Sequence, residues 1–130
     1  MPIHVSWANE QQTIIHTIYD GVWTLSDFHA TVDTMYDLAT SVDHTVHFIL
    51  DFRASNSSPA KFFSAGRHVE NKKAPNTGIS VIVGANSFLN AMLRMAEKLF
   101  LRDFSIHPAD TLEEAEEIIR KYEQDAISKR

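Results

Sequence analysis

Two short stretches, Val46 to Phe52 and Ile79 to Val83, most constrain what this chain can fold into. Neither alternates apolar with polar residues as a strand with one wet face does. Strands that read this way are buried on both faces, so helices must cover each side of the sheet they form. Such strands pair mostly in parallel and are joined by right-handed crossovers. Ile49 and Val81, at the middle of the two stretches, are expected to be buried.

The segments around them supply the remaining elements. Ile3, Val5 and Trp7 alternate with polar residues, Asn9-Glu10-Gln11 interrupts them, and Thr13 to Tyr19 resumes a β-branched run that Asp20-Gly21 ends. This predicts an N-terminal hairpin, with Val22 and Trp23 leaving room for a short third strand. Thr24 to Asp27 sets a hydroxyl at an N-cap and an acid three residues on, an acidic capping box, and Trp23 and Phe28 stand at hydrophobic-staple spacing. Phe28, Val32, Met35 and Ala39 then recur at helical spacing, widened by Leu25 and Leu38. A second helix is predicted from Pro59, in the first helical position after a Ser58 cap, to about Lys73, with Gly66 weakening its middle. A third follows Gly84 to Ser87 and carries Phe88, Leu89, Met92, Leu93, Ala96, Leu99 and Phe100. A short strand from Phe104 to His107 leads through Pro108 to a second capping box, Thr111 to Glu114. The last helix has Leu112, Ala115, Ile118, Ile119 and Tyr122 on one side. The expectation is a single α/β domain over residues 1–125, a mixed, mostly parallel sheet of four to six strands with an N-terminal hairpin and four helices. Residues 126–130 are a polar tail expected to fray.

Composition narrows the function classes. A chain of 130 residues, 44% of them apolar, can bury one core without staples, and it holds no cysteine for disulfides, thiol catalysis or cysteine-ligated zinc. No apolar run reaches six residues, against the roughly 18 of a membrane span, and the N-terminal residues lack the pattern of a signal peptide. A cytoplasmic location without stable membrane insertion is therefore expected. A net charge of −5 argues against nucleic acid as the main partner. That charge is segregated: residues 1–52 hold seven acids and no Lys or Arg, whereas residues 53–102 hold eight bases against Glu70 and Glu97. Such a distribution either sets up distinct surface fields or pairs acidic and basic helices within the domain.

No catalytic set assembles from the motifs. His44 and His47 have no third ligand at a diagnostic spacing, so neither a metal nor another cofactor is expected. There is no Gly-x-Ser-x-Gly elbow, and Gly84 to Ser87 lacks both the glycine spacing and the lysine of a P-loop, so a tight turn accounts for Gly84. One constellation remains. Ligands of open parallel sheets bind beyond the carboxyl ends of the strands, where helix N-termini favour anions. The loops there bring Arg53, Ser55, Asn86 and Ser87 to one rim, with Lys61 and Arg67 following on the second helix. These six are the candidates for binding an anion or a partner; the competing reading is three solvated caps with no ligand.

In this order the elements resemble the STAS family, the sulfate-transporter and anti-sigma-factor-antagonist domains. The resemblance rests on Gly21 to Thr24 entering the first helix, the strand His47 to Phe52, the serine-containing loop before the second helix, and Ala109 to Ala115 at the close. It implies a non-catalytic regulatory module that binds a protein partner through the second helix and its flanking loops. It further implies that a serine at the start of that helix is phosphorylated by the partner kinase, breaking the complex; Ser57 and Ser58 hold that place. Where the family has Asp before the serine and a Gly-rich stretch after it, this chain has Asn56 to Lys61, and Ser58 also reads as an ordinary N-cap. The expected partner presents an acidic surface, with homodimerisation as another outcome. The alternative, from a different class, is a small-molecule carrier or sensor holding an anionic or lipid-like ligand, which an internal cavity lined by Trp, Phe and Met would favour.

Overall fold

Burying Val46–Asp51 and Thr77–Val83 on both faces takes one helical layer per face, and the chain provides them. The computed structural model describes residues 2–55, 66–84, 94, 98 and 105–128. Its five strands, β1 (Ile3–Trp7), β2 (Ile14–Tyr19), β3 (Val46–Asp51), β4 (Thr77–Val83) and β5 (Ser105–Ala109), form one sheet in sequence order. β1 and β2 are an antiparallel hairpin, and β2 through β5 run parallel. Ile49 and Val81 are buried, as expected. The described helices are α1 (Leu25–Thr40), α2 (Gly66–Asn71) and α3 (Leu112–Ser128).

Side-chain parity divides the interior into two cores. Ile15 and Tyr19 of β2, Val46 and Phe48 of β3, and Ile82 of β4 pack with Phe28, Val32, Met35 and Ala39 of α1. On the opposite face Ile49, Ile79, Val81 and Val83 pack against Ala115 and Ile119 of α3. Only Ala115 and Ile119 of the predicted apolar side of α3 are fully buried, and Tyr122 is exposed. α3 continues to Ser128, past the expected start of the polar tail.

Three boundaries differ from the sequence expectation. Val22 and Trp23 form no strand; Gly21 alone makes an isolated bridge to Ser55. The chain has already turned into α1, whose N-cap is Thr24, and Trp23 packs 5.4 Å from the Phe28 ring as the staple spacing expects. β5 includes Pro108, paired with Ile82, because β5 is the edge strand and a missing N–H is tolerated there. At α3 the Thr111 hydroxyl accepts from the Glu114 N–H at 3.1 Å, as a cap should, but the Glu114 carboxylate accepts from the Asp110 N–H rather than from Thr111. The start of the second helix and the third helix lie outside the described residues, apart from helical Arg94 and Lys98.

The β3–β4 register is held by a side chain. The ladder shifts between Val46 and Phe48, and there the buried His47 ring accepts the Ile79 N–H at Nδ1, 3.0 Å away. A Cβ on Gly78 would overlap that ring, so this position must be glycine. Burial holds the His47 pKa below its usual value against the opposing charge of Glu123. One turn earlier in the chain, the Asn76 amide donates to the Ala39, Val42 and His44 carbonyls, closing the end of α1.

Two outcomes are expected. At α1 the Thr24 hydroxyl accepts from the Asp27 N–H at 3.0 Å and the Asp27 carboxylate from the Thr24 N–H at 2.9 Å. Thr24→Ala should cost roughly 0.5–2 kcal/mol in denaturant melts. His47 binds its proton more weakly folded than unfolded, so its contribution to stability is present above about pH 6.5 and is lost as pH falls through the lowered value. His47→Gln should therefore show a shallower loss of urea midpoint from pH 7.5 to 5 than the wild type.

Candidate functional site

The carboxyl ends of β3 and β4, where the sequence places its anion or partner site, are tied together by internal contacts. Asp51 ends β3 with its side chain 5% exposed, and Arg53 folds back on it. The Arg53 Nε donates to Asp51 Oδ1 at 3.0 Å and a terminal nitrogen to Oδ2 at 2.8 Å, while the Arg53 backbone N–H adds a third bond at 3.1 Å. His16 Nε2 lies 3.4 Å from the same carboxylate without a hydrogen-bond geometry. Burial pushes the Asp51 carboxyl up, but the Arg53 bonds and charge, with His16, outweigh it and hold the pKa below the usual range. The Arg53 guanidinium is raised in turn by Asp51.

Gly84 sits beneath this pair at φ +79°, donates its N–H to the Ala109 carbonyl, and has no room for a Cβ, which would overlap Arg53 Cγ. Its identity follows from backbone and packing, as the tight-turn reading expects. Ser55 is equally committed, because its hydroxyl accepts the Trp23 indole N–H at 2.9 Å. That bond satisfies the polar atom of a ring buried against Tyr19 and Phe28, and Tyr19 in turn stacks on Phe52 with centroids 4.2 Å apart and planes within 4°. Of the site residues expected from sequence, Arg53 and Ser55 thus lie together at this edge. Arg67 belongs to α2, and Ser57, Ser58, Lys61, Asn86 and Ser87 lie outside the described residues.

A second feature lies on the α1 face of the sheet. An apolar cavity of about 70 Å³ opens between that face, α1 and the segment from α2 to β4. Phe28, Met35, Phe48 and Ile82 are part of its wall, and so is Tyr19, which is fully buried with a hydroxyl that has no hydrogen-bond partner. Burial pushes the Tyr19 phenol well above its usual pKa, so it stays neutral. At the α2 side of the cavity Lys72 stands 3.9 Å from Asp33 and 5.0 Å over the Tyr36 ring, and His68 bonds Asp33 at 2.8 Å while stacking on His29. These contacts fasten α2 to α1 and pair charge of the basic segment 53–102 with an acid of the acidic segment 1–52 within the domain.

Sequence reasoning foresaw a cavity of this kind only as a condition and named none of its residues. The available signal was parity: Ile15, Thr17 and Tyr19 share the inward face of β2, so a tyrosine hydroxyl had to enter the core. Thr17 finds a partner in the Met35 sulfur at 3.0 Å; Tyr19 finds none. Among the described residues no cluster of three or more His, Asp or Glu could hold a metal ion. No helix there is long and apolar enough to cross a membrane.

Asp51→Asn should lower stability by about 1.5–3 kcal/mol at pH 7, the worth of hydrogen bonds to a charged group. Because the folded carboxyl binds its proton more weakly than the unfolded one, that stabilisation is present above about pH 4 and disappears as pH falls further. Urea melts of variant and wild type should converge toward pH 2.

No protein-family model matches the chain, and no curated protein matches it significantly. Among solved structures it is similar to the anti-sigma factor antagonist SpoIIAA in its unphosphorylated form, with a TM-score of 0.52 at 13% sequence identity, over 91% of this chain and 97% of that one. The chain therefore has the STAS-like fold of an anti-sigma factor antagonist.

Proposed function

We propose that this chain is a non-catalytic, STAS-like regulatory module that binds a protein partner through its second helix and the adjoining loops. The observation that carries this reading is the match to an anti-sigma factor antagonist along nearly the whole of both chains. The binding residues are Arg53 and Ser55 beyond the carboxyl end of β3, with Lys61, Arg67, Asn86 and Ser87, which the sequence reading assigns to the second helix and to the loop after β4. Ser57 and Ser58 are the regulated positions: the similar structure is of SpoIIAA in its unphosphorylated form, and the two serines stand in the sequence just ahead of the second helix expected from Pro59. The Arg53 guanidinium, though paired with Asp51, leaves its side chain 48% exposed and available to an acidic surface. Phosphate on Ser58 adds negative charge to a stretch of sequence that carries Arg53, Lys61 and Arg67, and favours release.

Affinity capture from the native cell, read by mass spectrometry, supplies the partner, and binding is then measured with the purified pair. The Lys61→Glu, Arg67→Glu double variant should keep its circular dichroism and melting temperature and lose affinity at least tenfold, about 1.4 kcal/mol. Unchanged affinity refutes the surface. The second reading, a small-molecule carrier or sensor, is favoured by one observation, the apolar cavity between the sheet and α1.

A further inference from the structure

We propose that the outer side of β1 pairs antiparallel with β1 of a second copy of this chain, so that the two sheets run on as one across a two-fold axis at Val5. The inference goes beyond the partner-binding reading and uses none of its residues.

β1 is an edge strand, with β2 as its one neighbour in the sheet. Backbone hydrogen bonds fix which of its residues face that neighbour. At one end the Asp20 N–H donates to the Pro2 carbonyl at 2.7 Å, and at the other the Ala8 N–H donates to the Ile14 carbonyl at 2.8 Å. Consecutive pairs, from Ile3 with Tyr19 to Trp7 with Ile15, run between them without a shift. Along an antiparallel strand, residues that bond the neighbour alternate with residues that do not. His4 and Ser6 therefore direct their N–H and C=O groups at β2. Ile3, Val5 and Trp7 direct theirs outward, where no group among the described residues bonds them.

An outward row of this kind is a template for another strand, and sheets guard such rows with proline, charge or a bulge. The other edge strand, β5, contains Pro108. β1 has no such guard: Ile3–Trp7 contains no Pro, Lys, Arg, Asp or Glu, and its register is unbroken.

The occupant is a second copy because β1 read backwards complements itself. With Val5 opposite Val5, Ile3 of each copy falls opposite Trp7 of the other. All three are outward-facing residues, and each pair exchanges two hydrogen bonds, which satisfies the whole row on both strands. A slip of one residue would set outward-facing residues against inward-facing ones and lose every bond. On the α1 side of the sheet, pairing adds apolar contact to Val5 and Trp7, which one chain leaves half-buried. On the opposite face the exposed His4 meets the exposed Ser6. Copies that each carry a net charge of −5 repel at long range, and β1 offers a contact with no carboxylate in it.

Sedimentation equilibrium of the full chain, combined with amide hydrogen exchange followed by NMR, tests the pairing. The wild type should sediment at twice its chain mass when concentrated, and its Val5 amide should then exchange at least tenfold more slowly than in dilute, monomeric protein. A chain that stays monomeric to millimolar concentration overturns the proposal and leaves the β1 edge to a strand of another protein. A dimer whose Val5 amide exchanges no more slowly uses a different face and overturns it too. Register is tested at the two exposed positions, which lie on the face away from α1. His4→Lys with Ser6→Lys sets lysines opposite each other twice and should weaken dimerisation at least tenfold, whereas His4→Lys with Ser6→Glu sets opposite charges together and should restore it. Equal weakening by both pairs refutes this register, and the wild-type exchange result stands without either variant.

Discussion

β3 has no face to leave in water. Its odd and even side chains enter different cores, with Val46 and Phe48 against α1 and Ile49 against the α3 side. Because side chains alternate along a strand, a slip of one residue would exchange the two sets wholesale. The rest of the structure depends on that register. It is pinned where His47 accepts the Ile79 N–H and Gly78 makes room for the ring, and Asn76 joins the end of α1 to the same corner. A polar side chain inside a parallel sheet is tolerated here because it replaces a ladder hydrogen bond that the register shift removes.

The other end of β3 uses its polar groups in the same internal way. Asp51 is satisfied by Arg53, Gly84 is shaped around Arg53, and Ser55 accepts from Trp23. The aromatic group of Tyr19, Trp23, Phe28 and Phe52 is thereby joined to the carboxyl end of β3 through one hydroxyl. A rigid edge of this sort suits a surface that must present charges in a fixed arrangement, since little side-chain freedom is left to lose on binding.

The two proposed activities draw on different physics and share one element. Partner binding at the edge is electrostatic and salt-dependent. Occupancy of the cavity under the carrier reading draws on apolar burial. α2 belongs to both, carrying Val69 in the cavity wall, with Lys72 just beyond its end, and Arg67 among the proposed partner residues. Its attachment to α1 through His68, Lys72 and Asp33 sets where both surfaces stand.

The sequence by itself determined the element order, the parallel pairing and the two-sided burial, because each follows from local periodicity and from the absence of alternation in residues 46–52 and 79–83. Thr24, Asp27 and Phe28 announced the start of α1 for the same reason: caps and staples are contacts within one turn. What only the tertiary structure decided are contacts between residues far apart in the chain. Trp23 reads as a strand residue until Ser55 accepts its N–H from 32 residues away, and Pro108 reads as a strand end until β5 proves to be an edge. The cavity was invisible for a related reason. A void is the volume left over when side chains from α1, β2, β3 and β4 meet, and no local pattern records a mismatch in that sum; the orphaned Tyr19 hydroxyl exists only because nothing from those elements reaches it.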